Sequence, residues 1–314
     1  MVQKKSVDES RDKLVWLQAL RAVAALLVVF THSIYTLVEK SGLPDQYIER
    51  FSFTGTWGVA IFFAISGFIM IHISKDLFTK DGASSKFLLR RILRIVPLYW
   101  IATFIYTAKL TVEGDFPGGQ DLLLSLLFIP FFDDTGLIRP VYGLGWTLNY
   151  EMYFYLIISF SLIFTRNFAL VFVFLLIGAP VLLFPILGLQ NAGPFAYFVS
   201  RPIILMFLLG IAARVLVFDL LSSWRIRRYS GSESYSRIAI ALGDASYSIY
   251  LTHSFVLGPL ARVWDLILPG APWVYFVGVA ILICIAVGYL VHRCVEAPLL
   301  NWLGGKLPGR RAFA

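Results

Sequence analysis

The run LVWLQALRAVAALLVVFTHSIYTLV, residues 14–38, is apolar over more than the length of a bilayer crossing, yet it carries Arg21 and His32. A membrane-spanning helix needs about 20 such residues. The two ionisable residues stand eleven positions apart, which in an α-helix is an advance of about 16 Å and a return to nearly the same azimuth. Both side chains therefore share one face. Ionisable groups are costly in lipid, so by default they face a protein interior and mark a functional site. The plain alternative has Arg21 snorkelling to the inner headgroups and His32 satisfied by a neighbouring hydroxyl.

Working outward from that run, the whole chain reads the same way. Of 314 residues, 58% are hydrophobic, 16% aromatic and only 15% charged, where a soluble domain carries about 25% charge. The expectation is an all-α, polytopic transmembrane helix bundle. Eight full spans are predicted, at 14–38, 57–74, 95–110, 146–165, 168–189, 195–218, 245–266 and 273–292. The apolar run 121–132 is short for a span and contains Pro130, so it reads as re-entrant or interfacial. Residues 1–13 are polar and mixed in charge, unlike a signal peptide. The organisation expected is a cytoplasmic N-terminal segment (1–13), one membrane domain (14–298) and a cytoplasmic basic tail (299–314).

Charge fixes the orientation. With both termini cytoplasmic and the short run not crossing, 27 Lys and Arg leave only Lys40, Arg50, Lys109, Arg139, Arg201 and Arg262 outside, with Arg21 inside the membrane. A crossing by the short run would invert everything after it and spoil this bias. The net charge of +8 follows from the same rule, and its spread over many inner loops, Arg214 among them, argues against a nucleic-acid partner. The polar insert 222–237 could form an interfacial basic helix. Cys284 and Cys294 fall on one helix about 15 Å apart, too far to bridge. Neither an HExxH nor a Cys/His metal pattern occurs, so no metal is expected.

Topology turns depth into an argument about chemistry. The first span runs from inside to outside, which puts His32 in the outer half. The 146–165 span runs inward and carries Glu151 near its start, at a similar depth. An imidazole and a carboxylate at one level can form a base and its orienting partner; alone, Glu151 could serve a Tyr or Trp structurally. On the inner side, Arg90, Arg91 and Arg94 precede Pro97, with Arg91 and Arg94 on one face. The planar guanidinium fork suits phosphate oxygens, although such a cluster also serves as ordinary inner-face anchoring. His72 lies at the inner end of the second span, where it joins this patch or sits at the interface.

Five blocks then follow in order: Leu20-Arg21 through His32, GVAIFFAISGF (58–68), RRILRIVPLYW (90–100), GWTLNYEMYFY (145–155) and GDASYSIYLTH (243–253). Together, from residue 14 to the VEAP at 295–298, they resemble the acyltransferase family 3 integral-membrane acyltransferases. That resemblance implies transfer of an acyl group, commonly acetyl from acetyl-CoA, onto sugar hydroxyls of bacterial exopolysaccharide, lipopolysaccharide or Nod factors. It matches Arg21 and His32 to an Arg-x10-His motif whose His is catalytic, and Arg91 and Arg94 to a cytoplasmic Arg-x-x-Arg motif linked to the acyl-CoA donor. Ser66, Gly67 and Phe68 match a Ser-Gly-Phe element in which the Gly allows close helix approach. Glu151 matches the family's acidic residue, and Tyr247, Tyr250 and His253 a late block with no role assigned here. The family's usual ten or so spans exceed the eight read here.

The expected enzyme is thus an acyl-CoA-dependent O-acetyltransferase in the inner membrane of a bacterium. Its donor is held by Arg91 and Arg94 with Arg90, its catalytic group is Arg21, His32 and Glu151, and its acceptor is a cell-surface or lipid-linked glycan. His32 would act as general base, or carry the acyl group itself in a covalent relay. Two other classes use similar residues: a proton-coupled sugar or anion transporter, and a non-catalytic subunit of a polysaccharide assembly.

Overall fold

A computed structural model describes residues 15–216 and 233–304. The expected segment 1–13, most of the insert 222–237 and the end of the basic tail lie outside the described residues. Eleven α-helices are found there: α1 (Val15–Ser41), α2 (Gln46–Ser74), α3 (Ala83–Glu113), α4 (Gly119–Leu126), α5 (Trp146–Ser161), α6 (Arg166–Ile186), α7 (Pro194–Val199), α8 (Leu205–Val215), α9 (Glu233–Ile267), α10 (Trp273–Val291) and α11 (Ala297–Gly304). A π-helical turn, His292–Glu296, joins the last two. Among the described residues there is no β-strand, only an isolated bridge between Phe132 and Ile138.

Five described helical stretches are long and apolar enough to cross a membrane: α1, α2, α3, α6 and Trp273–Gly304. The other three predicted spans differ for separate reasons. Within 195–218, Ser200 and Arg201 leave the helix and Pro202 opens a 3-10 turn, Pro202–Ile204, so α7 and α8 are two short pieces. A proline disfavours helical geometry in the residue before it. The 146–165 run gives α5, which has 16 residues. The 245–266 run lies inside α9, which has 35 residues; its Ser, Tyr and His residues lower its average hydropathy, and Ser246, Ser248 and His253 among them are buried. The 121–132 run holds the eight-residue α4, well under half a crossing.

Helices also begin earlier than their apolar stretches. The third span, expected from residue 95, starts at Ala83, so Arg90, Arg91 and Arg94 sit inside α3 rather than at its mouth. Nothing in 83–94 breaks a helix, and an amphipathic basic stretch extends one as well as an apolar one does.

The chain divides into two compact units. The first comprises Met1–Ile65 and Trp224–Pro298, the second Ser66–Ser223 and Leu299–Ala314. The first is built on α1 against α9, with α10 packed on both. Its core joins Ala25, Val29, Ile34 and Leu37 of α1 to Ala245, Ile249, Leu257 and Ala261 of α9 and Phe276, Val277, Ala280 and Cys284 of α10. Small residues at these contacts bring backbones together. At Gly243 a Cβ would stand 2.6 Å from Cα of Gln18, so any larger residue would force α9 off α1.

In the second unit α5 packs against α3, through Ser84 Oγ donating to the Ser159 carbonyl at 2.6 Å, and against α7 and α8 through aromatic rings. Tyr150 stacks on Phe198 with centroids 3.9 Å apart, and Phe154 on Phe207 at 4.0 Å. Gly67 of α2 meets the Phe207 carbonyl oxygen, which a Cβ would approach to 2.0 Å. The close approach expected of this Gly is present, and it is what lets α8 lie on the end of α2.

Candidate active site

In the first unit, His32 lies eleven residues beyond Arg21 on the unbroken helix α1, so the shared face inferred from spacing exists. Arg21 Nη1 donates to Gln18 Oε1 at 3.1 Å, and Gln18 Nε2 donates to Asp244 Oδ1 at 2.7 Å. This chain ties Arg21 to the start of the GDASYSIYLTH block on α9. Gln18 and Asp244 were not singled out from sequence, although a carboxylate inside a largely apolar run is the signal that finds Asp244.

His32 Nδ1 lies 3.0 Å from the Val28 carbonyl oxygen. A carbonyl only accepts, so Nδ1 carries a proton, and in the neutral ring Nε2 then keeps its lone pair. The ring packs against those of Tyr35 and His253, at centroid distances of 5.7 and 4.9 Å. A neutral imidazole with a bare Nε2 and a fixed tautomer is the equipment of a general base or a nucleophile. Tyr247 and Tyr250 are buried and Tyr250 packs edge-on against Phe62, which fits a packing role.

In the second unit, Glu151 projects from α5 among polar partners. Ser66 Oγ donates to both carboxylate oxygens, at 2.7 and 2.9 Å, and the Tyr155 hydroxyl bonds the same carboxylate. Arg91 and Arg94 are the cations whose charge reaches it. The Arg91 guanidinium sits 5.7 Å from the Phe87 ring centroid and 5.9 Å from that of Tyr155, within cation–π range. Its Nε is buried and has no hydrogen-bond partner. The carboxylate expected to orient an imidazole thus shares its surroundings with the Arg-x-x-Arg motif. Tyr155, four residues from Glu151 and so on the same helix face, was not singled out from sequence. Ser66 was noted only as part of a motif.

His72 stands 3.1 Å from Arg214, whose Nε donates to its Nδ1. Arg214, counted from sequence with the inner-side cations at the end of the 195–218 run, lies in α8 and is only 6% exposed. A buried guanidinium needs acceptors, and the neutral imidazole of His72 supplies one. Among the described residues no three His, Cys, Asp or Glu side chains group as metal ligands would.

The family profile described as an acyltransferase domain matches residues 14–232. The chain is 32% identical over 293 residues to the exopolysaccharide production protein ExoZ of Rhizobium meliloti (strain 1021), covering 79% of this chain and 90% of that protein. It is 26% identical over 218 residues to nodulation protein 10 of Rhizobium leguminosarum bv. viciae, covering 62% of this chain and 58% of that protein. Over 98 residues, 31% of this chain and 46% of the relative, it is 30% identical to protein 2 in the picA locus of Rhizobium radiobacter. No solved structure matches.

Proposed function

From the premise that this chain belongs to acyltransferase family 3, we propose that it is an integral-membrane O-acetyltransferase moving acetyl from cytoplasmic acetyl-CoA to a hydroxyl of a cell-surface or lipid-linked glycan. Exopolysaccharide is the acceptor favoured, because the name of the relative from Rhizobium meliloti ties that protein to exopolysaccharide production. The enzyme sits in the inner membrane of a bacterium with both termini cytoplasmic, as the distribution of Lys and Arg supports.

The observation that carries the reading is the imidazole of His32, whose tautomer is fixed by Val28 so that Nε2 is left as a base. In the transfer step Nε2 takes the proton of the acceptor hydroxyl as its oxygen attacks the thioester carbonyl. The C–O bond forms and the C–S bond breaks. The thiolate of CoA leaves and takes up the proton from the imidazolium. A positioned base of this kind contributes about 10²–10⁴-fold. Arg21, bonded to Gln18, supplies a fixed positive charge three helical turns from His32 that positions the donor on its way to the base.

Donor phosphates fall to Arg91 and Arg94, with Arg90 beside them. The buried, unpartnered Nε of Arg91 is a donor that a phosphate oxygen would satisfy, so the residues fit the group. Glu151, braced by Ser66 and Tyr155, orients these guanidinium groups and keeps their charge local.

The test uses full-length protein in nanodiscs, acetyl-CoA, and exopolysaccharide extracted from cells lacking this chain. Release of free CoA thiol with matching acetate ester on the polysaccharide is expected. No thiol release with any short-chain acyl-CoA, together with proton-coupled sugar uptake in liposomes, would return the transporter reading to first place.

A further inference from the structure

Helix α9 carries several buried or half-buried Ser, Thr and His side chains, and all but one are accounted for. Ser246 Oγ donates to the Gly243 carbonyl at 2.7 Å, Ser248 Oγ to Glu296 at 2.6 Å and Thr252 Oγ1 to the Ser248 carbonyl at 2.7 Å. His253 is the exception. It is 0% exposed, and its Nδ1 lies 2.6 Å from the Tyr250 carbonyl oxygen. That contact puts a proton on Nδ1, and a ring buried this deeply with no carboxylate bonded to it among the described residues is neutral, which leaves Nε2 an acceptor. This Nε2 is buried without a partner, the one such side-chain atom among the described residues of α9. A histidine retained only for packing would be replaced by an apolar residue without this cost, because an unmet buried acceptor is penalised.

The unmet acceptor stands beside the proposed base. The rings of His32 and His253 have centroids 4.9 Å apart and are tilted by 52°. Each is pinned through Nδ1 to a carbonyl of its own helix, on α1 and α9 respectively, and each keeps an Nε2 lone pair. With both Nδ1–H groups committed to carbonyls, the two rings offer each other only Nε2 acceptors and cannot bond. They call for a ligand that brings donors, and a sugar ring does so with adjacent hydroxyls. The geometry points to His253 as an acceptor-binding residue: its Nε2 receives a hydrogen bond from the hydroxyl, or amide N–H, neighbouring the hydroxyl that His32 deprotonates. The pair would thus read a vicinal donor pair on the sugar. This inference rests on the reading of His32 as the base, and it involves residues beyond the 14–232 stretch that the family profile matches.

His253→Asn and His253→Gln test it in full-length protein in nanodiscs, with acetyl-CoA and the same extracted exopolysaccharide. Asn can keep a donor near Nδ1 and deletes the acceptor at Nε2, whereas Gln reaches where Nε2 stood. The expected result for Asn is a rise of about tenfold in KM for the polysaccharide, with KM for acetyl-CoA and the melting temperature unchanged, and partial recovery in Gln. An unchanged polysaccharide KM would overturn the proposal, as would an equal loss toward both substrates. A lowered melting temperature with no KM shift would also overturn it, since Nε2 then holds only structural water. Should the Asn variant fail to fold, ¹⁵N-histidine spectra of the wild type decide: oligosaccharide prepared from the exopolysaccharide must shift His253 Nε2, and an unmoved resonance rejects the proposal. His32→Ala separates the two readings. If it remains active, the base assignment fails and takes this inference with it; if it is inactive while His253→Asn behaves as wild type, only this inference fails.

Discussion

The α1–α9 region and the α3–α5 region hold polar atoms inside an apolar protein by different means. On α1 and α9 each imidazole is tied to a carbonyl of its own helix, Val28 for His32 and Tyr250 for His253, and close packing of small residues does the rest. On α3 and α5 the groups hold one another across helices: Glu151 is bonded by Ser66 of α2, and Arg91 lies over Tyr155 of α5. The first arrangement fixes tautomers and leaves lone pairs unused, which suits proton transfer. The second gathers cations around a braced carboxylate, which suits holding an anion. A region that only had to pack would need neither.

The comparison breaks most sharply at His32. His32→Ala should lower acetyl transfer by about 10²–10⁴-fold while acetyl-CoA still binds, measured as product per verified protein together with CoA affinity. Near-normal turnover would erase the distinction between a chemical and a binding region.

The α3–α5 region is sharpened by donor affinity. Arg91→Ala should weaken acetyl-CoA binding by about 10–100-fold, as expected for a hydrogen bond to a charged group, and Lys should restore only part because it lacks the planar fork. Glu151→Gln keeps shape and removes charge. If Glu151 serves the arginines, its effect should appear in KM for acetyl-CoA and not in KM for the glycan. A pure loss of kcat would instead favour the imidazolium-stabilising role expected from sequence.

The smallest effect belongs to a control outside both regions. Asp133, in the turn after α4, accepts from Thr135 N and Leu137 N at 2.9 and 3.0 Å and from Arg139 Nε at 3.0 Å. Slight burial pulls its carboxyl upward, but the bonds from Thr135 and Leu137 and the charge of Arg139 outweigh it and hold the pKa below the usual carboxylate value. A depressed carboxylate stabilises its turn above the unfolded pKa and loses that contribution as pH falls through the folded one. The protection factor of the Leu137 amide should therefore hold at neutral pH and fall only below about pH 4. Asp133→Asn should lower that protection at neutral pH and make no difference at low pH, with transfer activity within a factor of about two.

What could be read from residues alone depended on local periodicity and on the price of charge in lipid. The placement of Arg21 and His32 on one helix face follows from 3.6 residues per turn, and α1 delivers it. The apolar stretches locate α1, α2, α3, α6 and α10, because hydropathy sums over neighbours in sequence. It says less where structure depends on distant contacts: the 245–266 run is one part of the longer α9, which buries its polar groups, and Pro202 splits a run whose average is apolar throughout. The candidate residues Arg21, His32, Arg91, Arg94 and Glu151 were legible as costly groups. Their partners were not. Gln18 with Asp244, Ser66 and Tyr155 with Glu151, His72 with Arg214 and His253 with His32 are mostly matched across helices far apart in the chain. Sequence sets which residues share a face along one helix, but which faces meet is set by side-chain volumes such as those at Gly67 and Gly243, a property of packed pairs that no single segment contains.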